Sequence, residues 1–222
     1  MTTLQSLSSF VPRKTAWIPA PIWIHTCQQM AQGYFWPSLI TTVGCLGNIT
    51  YTCTLPFVTV GILTGTTLTR SKAILSTLMI WLANQIFGYL LHNYPRTPDS
   101  FGWGIVLGIA TLSVTLAASY RPLFKPVKPG QLWLNYAWIP LMLVLGFLGF
   151  QVLIFLAGLF LGGTHGLTLP VLGKIWLDNW LWTGLWIGIH SVLVGSKARS
   201  LYPISQPAHL EYPAFNNPAS KA

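Results

Sequence analysis

The sequence is poor in charged residues, and above all in acidic ones. Only 7% of its 222 residues are charged, against roughly a quarter in a soluble globular domain, and Asp and Glu together number 3. Hydrophobic residues make up 52%, and the mean hydropathy is +0.56. So few charges cannot cover the surface of a globule in water. The composition therefore excludes a soluble domain and predicts an integral membrane protein.

Motifs that mark soluble enzymes are also missing. The 3 cysteines form no C-x-x-C pair, which argues against a structural zinc site or a redox dithiol. There is no P-loop, no G-x-S-x-G elbow and no H-E-x-x-H pair. Only Asp178 among the acids lies near an apolar segment, so carboxylates for proton coupling or metal-assisted catalysis are lacking. The sequence favours a protein that is not an enzyme, and it identifies no catalytic residue, metal ligand or cofactor.

Basic residues are in excess, with 12 Lys and Arg and a formal net charge of +9. They occur in short groups beside apolar runs, which is typical of anchors that face the cytoplasm and anionic lipid headgroups. We therefore expect the lipid bilayer as a partner, and no nucleic acid. The groups are Arg13 with Lys14, Arg70 with Lys72, Arg121 with Lys125 and Lys128, and Lys197 with Arg199.

Four apolar segments are long enough to cross a hydrocarbon core, which takes about 20 helical residues. Pro140 lies in the first third of the third segment and predicts a kink there, because proline removes a helical hydrogen bond. The segments are residues 73–91, 101–120, 132–163 and 176–195.

An earlier apolar stretch, residues 37–68, is interrupted by Gly47, Asn48 and Pro56. As one straight helix it would be about 48 Å long, well beyond a hydrocarbon core of about 30 Å. It is therefore either one span with a broken lead-in or a short re-entrant hairpin that turns near Gly47 and Asn48. The predicted fold is an all-α integral membrane protein, a compact bundle of five or six transmembrane helices with short loops.

The chain divides into three parts by composition. Residues 1–36 form a polar N-terminal segment followed by an interfacial aromatic one, and residues 37–196 form the polytopic transmembrane domain. Residues 197–222 are basic at first and then rich in proline, which predicts a disordered tail. We expect a multi-pass protein whose C-terminus is cytoplasmic.

Two predicted helices each carry one face of neutral polar and aromatic side chains, because these residues recur at spacings of three and four. Amides in lipid need hydrogen-bond partners, so these faces must contact protein, water or a ligand. Two interpretations stay open: hydrogen bonds between helices, or a pocket for a neutral or aromatic small molecule. The candidate ligand-binding residues are Trp81, Asn84, Gln85 and His92 on one helix and Asn179, Thr183, Trp186 and His190 on the other.

Two of the remaining polar residues have separate interpretations. Gln151 lies midway along its segment and is best explained by a hydrogen bond between helices. His190 has a further interpretation as the single ligand of a pigment, whereas His92 and His190 lie at different depths and make a poor pair for haem.

Four G-x-x-x-G pairs favour close contacts between helices, because glycine lets two backbones approach. They also suit a docking face for a partner subunit. The pairs are Gly61 with Gly65, Gly104 with Gly108, Gly158 with Gly162, and Gly184 with Gly188.

The chain is similar in build to the membrane-embedded binding subunits of energy-coupling-factor importers, in size and number of spans rather than in any motif. This similarity implies a subunit that captures a neutral or aromatic small molecule and is energised by a partner in trans. The alternative is an accessory or assembly subunit of a larger membrane complex that bears a pigment or a quinone. A third interpretation is a membrane enzyme that acts on a lipid or an isoprenoid.

The distribution of basic residues predicts the orientation of the spans. When residues 121–130 and the segment after residue 197 are placed in the cytoplasm, basic residues between the spans and in the tail lie mainly inside, as the positive-inside rule requires. The inward residues are Arg70, Lys72, Arg121, Lys125, Lys128, Lys197, Arg199 and Lys221, and the outward ones are Arg96 and Lys174.

Cysteine labelling on intact cells checks this orientation. In a background whose native cysteines are replaced by alanine, we expect an impermeant thiol reagent to label Ser100→Cys and to leave Ser200→Cys unlabelled. The reverse pattern would contradict the assignment.

Overall fold

The structure, a computed structural model, describes residues 18–50, 56–128, 130–162 and 168–201. Within these ranges all the regular structure is helical, as the composition predicts, and the helices number seven. They are α1 (Ala20–Gln32), α2 (Phe35–Thr50), α3 (Phe57–Thr67), α4 (Arg70–Leu90), α5 (Pro98–Ala118), α6 (Trp133–Leu161) and α7 (Leu169–Leu201).

Three of the helices are long and apolar enough to cross a membrane, which confirms the prediction of a membrane protein. α4 and α5 have 21 residues each, and α6 has 29 and stays helical through Pro140. A helix of 21 residues is about 32 Å long, close to the thickness of a hydrocarbon core. Leucines on the outer face of α6 are about half exposed, Leu145 at 53% and Leu148 at 56%, which suits a surface in contact with lipid.

The predicted last span lies inside α7, which is longer than the span but is not among the three helices that are apolar enough to cross a membrane. Its first half carries Lys174, Asp178 and three tryptophans, which lower its mean hydropathy. α7 is helical to Leu201, so it includes Lys197 and Arg199, the basic residues at the start of the predicted tail. The rest of that tail, residues 202–222, and residues 1–17 lie outside the described ranges.

Of the two alternatives for residues 37–68, the hairpin that turns near Gly47 and Asn48 is wrong, because α2 runs through both residues to Thr50. The Asn48 side chain does not break the helix, since its amide donates to the Gly44 carbonyl one turn earlier, at 2.9 Å. A separate helix, α3, begins after Pro56, which occupies its N-cap position. Residues 51–55 between these helices lie outside the described ranges.

The short helix α3 forms the centre of the bundle. All 11 of its residues are buried, and it contacts α2, α4, α5, α6 and α7. Its length of about 16 Å covers roughly half of a hydrocarbon core. The other helices therefore surround it and separate it from lipid.

Glycines allow α3 to approach α5 closely. A Cβ atom added at Gly65 would lie 2.5 Å from the carbonyl oxygen of Thr115 and 2.7 Å from the Cβ of Ala118. A Cβ at Gly61 would lie 2.9 Å from the Cβ of Val114. The close contact expected of a G-x-x-x-G pair is present here, whereas added Cβ atoms at Gly184 and Gly188 on α7 would meet nothing within 4 Å.

The charged side chain of Lys72 connects the first turn of α4 to the C-terminal end of α1. Lys72 Nζ, in the first turn of α4, donates to the carbonyl oxygens of Gln32 and of Gly33, the latter at 2.7 Å. It also lies 4.8 Å from the ring centroid of Tyr34. A cation beside the last carbonyls of a helix is favourable because those groups carry partial negative charge.

The Gly65 contact predicts a sharp difference between two glycine variants. Gly65→Ala should destabilise the protein by about 1–3 kcal/mol, because the added methyl group meets backbone atoms that cannot move aside. Gly184→Ala, which adds the same methyl group to a helix position with open space around it, should leave the melting temperature in detergent unchanged or raise it. Equal melting temperatures for the two variants would contradict the close packing of α3 on α5.

Candidate functional site

A groove of about 500 Å³ lies between α4 and α5, near the end where these helices are connected. This volume is within the range of about 300–1,000 Å³ that small-molecule sites occupy. Leu82 and Ile105 on its walls are 50% and 56% exposed, so the groove opens on the outer surface of the bundle. We call it the α4–α5 groove, and it is lined by Trp81, Leu82, Gln85, Ile86, Tyr89, Leu90, Phe101, Gly104 and Ile105.

Two glycines of α5 pack directly against side chains of α4 in this groove. A Cβ at Gly104 would lie 2.1 Å from Gln85 Oε1, and one at Gly108 would lie 2.7 Å from the indole of Trp81. Trp81 Nε1 donates to the carbonyl oxygen of Gly104 at 2.7 Å. The Gly104–Gly108 pair therefore makes room for side chains from α4, and the indole N–H of Trp81 is already satisfied.

Aromatic side chains close one end of the groove. The rings of Tyr89 and Phe101 are 4.9 Å apart between centroids and are tilted by 30°. The hydroxyl of Tyr89 lies 3.2 Å from that of Ser100, and either hydroxyl can be the donor. Sequence reasoning missed Tyr89 and Phe101. Tyr89 follows Gln85 by one helical turn, a spacing that could have indicated it, but Phe101 lies on another helix.

A chain of three amides runs inward from the groove. Gln85 Nε2 donates to Asn84 Oδ1 at 3.1 Å, and Asn84 Nδ2 donates to Asn48 Oδ1 at 2.9 Å. Asn48 Nδ2 then donates to the carbonyl oxygens of Gly44 and Ile80, at 2.9 and 3.3 Å. Asn48 and Asn84 are buried, so each bond of the chain replaces one that water would otherwise make.

The residues of the first predicted face, on α4 and just after it, lie near Asn48 of α2. Trp81, Asn84 and Gln85 lie on the groove or on the amide chain behind it. His92 Nε2 lies 3.0 Å from the carbonyl oxygen of Asn48, so the end of α4 is tied to α2 as well. Asn48, predicted only as a structural residue, is thus the point where this polar cluster meets.

Two residues of the second predicted face, Asn179 and Thr183, contact α3. Asn179 Oδ1 accepts from the backbone N–H of Thr59 at 2.9 Å, and the Thr59 and Thr183 hydroxyls are 3.0 Å apart. The N–H groups in the first turn of a helix have no partner within that helix. Asn179 therefore supplies from α7 the acceptor that the start of α3 needs.

The other two residues of this face pack against a tryptophan of α2. Trp36 has ring centroids 5.0 Å from His190 and 6.0 Å from Trp186, and its indole N–H donates to the Thr67 hydroxyl at 3.0 Å. His190 is fully buried, and neither ring nitrogen has a hydrogen-bond partner among the described residues. Trp36 comes directly before the apolar stretch of residues 37–68, a position typical of tryptophans at a membrane interface, yet only 1% of it is exposed.

The predicted residues thus form two clusters that contact different helices. In the described ranges, no hydrogen bond or ring contact joins the α4 cluster to the α7 cluster, and α3 lies against both helices. Gln151 is half-buried on α6, and its side chain makes no hydrogen bond to another described residue. The ligand-binding role of the eight residues remains a prediction, and two of them, Trp81 and Gln85, line the α4–α5 groove.

Comparison of the chain with models of protein families, with curated proteins and with solved structures gives no match. The functional argument therefore depends on the geometry of the chain itself.

The amide chain predicts that Asn48 contributes more to stability than an amide outside it. Asn48→Leu removes the donor to two carbonyls and leaves Asn84 without its acceptor, so unfolding should become easier by about 1–3 kcal/mol. Gln151→Leu, the matched control, should have little effect because leucine suits the surroundings of α6. Thermal melts in the same detergent measure both variants, and an unchanged Asn48→Leu melt would argue against the chain.

Proposed function

We propose that the chain is the substrate-capturing subunit of a membrane transport system and that it binds a neutral, largely apolar or aromatic small molecule in the α4–α5 groove. One observation carries the proposal. Two residues predicted to bind a ligand, Trp81 and Gln85, line a groove of about 500 Å³ between two apolar helices.

The charge of the groove supports a neutral ligand. None of the nine residues that line it carries a formal charge. A charged ligand at membrane depth would lose its hydration and find no ion to pair with, at a cost of several kcal/mol. The rings of Trp81, Tyr89 and Phe101 favour a ligand with a flat apolar part.

The need for a partner follows from the sequence. The chain has no P-loop, and no acidic residue is among the described residues that line the groove. Without nucleotide hydrolysis or a titrating carboxylate, movement of a bound molecule against a gradient requires energy from another subunit. A partner membrane subunit is therefore part of this proposal.

The proposed topology has five or six membrane segments and a cytoplasmic C-terminus. In this arrangement α2 and α3 form a broken or re-entrant segment, which is supported by the length and burial of α3. A helix of 11 residues surrounded by protein fits a half-span better than a full crossing, because it is about 16 Å long and a hydrocarbon core is about 30 Å thick.

A second candidate function, an accessory or assembly subunit of a larger membrane complex, is favoured by the outer face of α7. Gly184 and Gly188 have open space around them there, and Leu181 and Leu185, which are adjacent to them on the same helix face, are 62% and 52% exposed. Small residues on an exposed face allow another transmembrane helix to pack closely. Under this interpretation the partner would be bound permanently rather than during transport.

Two matched variants of α5 test capture in the groove. Ile105 and Ile109 are one helical turn apart and equally exposed, at 56% and 57%, but only Ile105 lines the groove. Ile105→Trp should fill the groove and reduce the amount of a co-purifying neutral small molecule by about tenfold or more, whereas Ile109→Trp should leave it unchanged.

The measurement is mass spectrometry of organic extracts from protein purified in mild detergent, with co-purifying subunits identified in the same samples. Loss of the molecule in both variants, or in neither, would contradict binding in the groove. Stoichiometric subunits without any small molecule would favour the accessory function instead.

A further inference from the structure

We infer that the start of the connection between α5 and α6 is a binding site for one anionic phospholipid, whose phosphate is held by Arg121 and Lys125. The inference is independent of the α4–α5 groove, which lies near the opposite end of α5. It assigns one lipid to a defined place, beyond the general attraction of basic residues to a negative membrane surface.

The backbone that carries the two cations is attached to the bundle through a fully buried asparagine. Asn135 Nδ2 donates to the carbonyl oxygens of Leu123 and Lys125, at 3.2 and 2.8 Å. Its Oδ1 accepts from Arg121 Nε at 3.0 Å. Leu123 is also buried, and its backbone N–H donates to the carbonyl oxygen of Thr66 at 2.8 Å. A ligand that binds here therefore does not have to order the loop, which lowers the cost of binding.

A turn brings the ammonium group of Lys125 back to the end of α5. The backbone N–H of Lys125 donates to the carbonyl oxygen of Pro122 at 2.9 Å and closes this turn. Lys125 Nζ lies 3.4 Å from the carbonyl oxygen of Tyr120, the residue before Arg121, and 4.8 Å from the centroid of the Tyr120 ring. The two cations are thus held on the same short segment of chain.

No acidic residue in the described part of the chain neutralises this pair. Asp99 lies in the first turn of α5, at its other end, and Asp178 pairs with Lys174 on α7 at 3.2 Å. The Nε–H of Arg121 is engaged, whereas the two NH2 groups of its guanidinium donate to no described residue. Two such groups on a half-buried arginine, beside an ammonium group, are suited to the oxygens of a phosphate.

The surroundings favour the phosphate of a lipid over a free phosphate ion. Arg121 and Lys125 follow the end of a candidate span, which is the level of the headgroups. Tyr120 is 75% exposed, and its ring centroid lies 6.2 Å from that of Trp138. Leu145, about two helical turns from Trp138 toward the middle of α6, is 53% exposed. Aromatic rings followed by an exposed apolar surface are suited to the glycerol and acyl parts of a lipid.

Other basic residues lack these features and supply matched controls. Lys128, in the same loop, is exposed, and its ammonium group contacts no described residue. Arg70, at the start of α4, is exposed and likewise has no described partner for its guanidinium. Neutralising either residue changes the net charge of the protein as much as neutralising Arg121 or Lys125.

Native mass spectrometry of the purified full chain in mild detergent tests the site. The probes are dioleoylphosphatidylglycerol and dioleoylphosphatidylcholine, which share their acyl chains and differ in the net charge of the headgroup. The readout is the ratio of the affinities for the first bound molecule of each lipid. It is measured for wild type, Arg121→Gln, Lys125→Gln, Arg70→Gln and Lys128→Gln.

We expect wild type to bind one phosphatidylglycerol in preference to phosphatidylcholine. Arg121→Gln and Lys125→Gln should each lower this preference by about fivefold or more, the factor that one basic group near a headgroup is worth. Arg70→Gln and Lys128→Gln should leave the wild-type ratio unchanged. Lys125→Gln is the decisive variant, because the Arg121 side chain also bonds Asn135 whereas the Lys125 side chain does not.

Three results would overturn the site. The first is a wild-type protein that binds both lipids equally, and the second is an unchanged ratio in Lys125→Gln. The third is an equal reduction in all four variants, because the preference would then reflect net charge alone. Glycerol 1-phosphate is added as a competitor with the same phosphate chemistry and no acyl chains. It should not displace the lipid at equal concentration, and displacement would contradict a lipid site in favour of a free phosphate ester.

Discussion

α3 can lie at the centre of the bundle only because other elements satisfy the polar groups at its two ends. Pro56 at its N-cap has no side-chain acceptor, and Asn179 of α7 supplies one to the backbone N–H of Thr59. At the other end the backbone N–H of Leu123 donates to the carbonyl oxygen of Thr66 at 2.8 Å. In a region without water, a helix end left open costs several kcal/mol for each unpaired group.

The same requirement explains why threonine is frequent in a helix whose residues are all buried. The hydroxyls of Thr64, Thr66 and Thr67 donate to carbonyls of their own helix, at 2.6–2.8 Å. Thr64 is also 3.0 Å from Thr77 of α4, which is 3.0 Å from Thr115 of α5. One row of hydroxyls therefore links three helices and fixes their relative positions with neutral groups, while each hydroxyl remains satisfied.

Run length and charge predict the three spans well and the centre of the fold poorly. Residues 73–91 and 101–120 correspond to α4 and α5 because polar residues end the apolar run on both sides. Residues 37–68 are mainly apolar on both sides of the interruptions at Gly47, Asn48 and Pro56, so the pattern contains no sign that α2 lies at the surface while α3 is enclosed. The α4 side of the groove was predictable, because Trp81 and Gln85 share one helix face. The α5 side was not, because it depends on how two helices pack, and the spacing of residues along one helix does not encode that.

The exposed walls of the α4–α5 groove affect the affinity that the proposed ligand needs. Leu82 and Ile105 face outward from apolar helices, so a lipid-soluble compound would arrive by lateral diffusion within the bilayer. Such compounds partition into hydrocarbon, and their concentration there exceeds that in water by the transfer free energy of their apolar area. A site supplied from this reservoir can be filled with weak contacts. The selectivity of the site among the many apolar molecules in the bilayer then matters more than its affinity for any one of them.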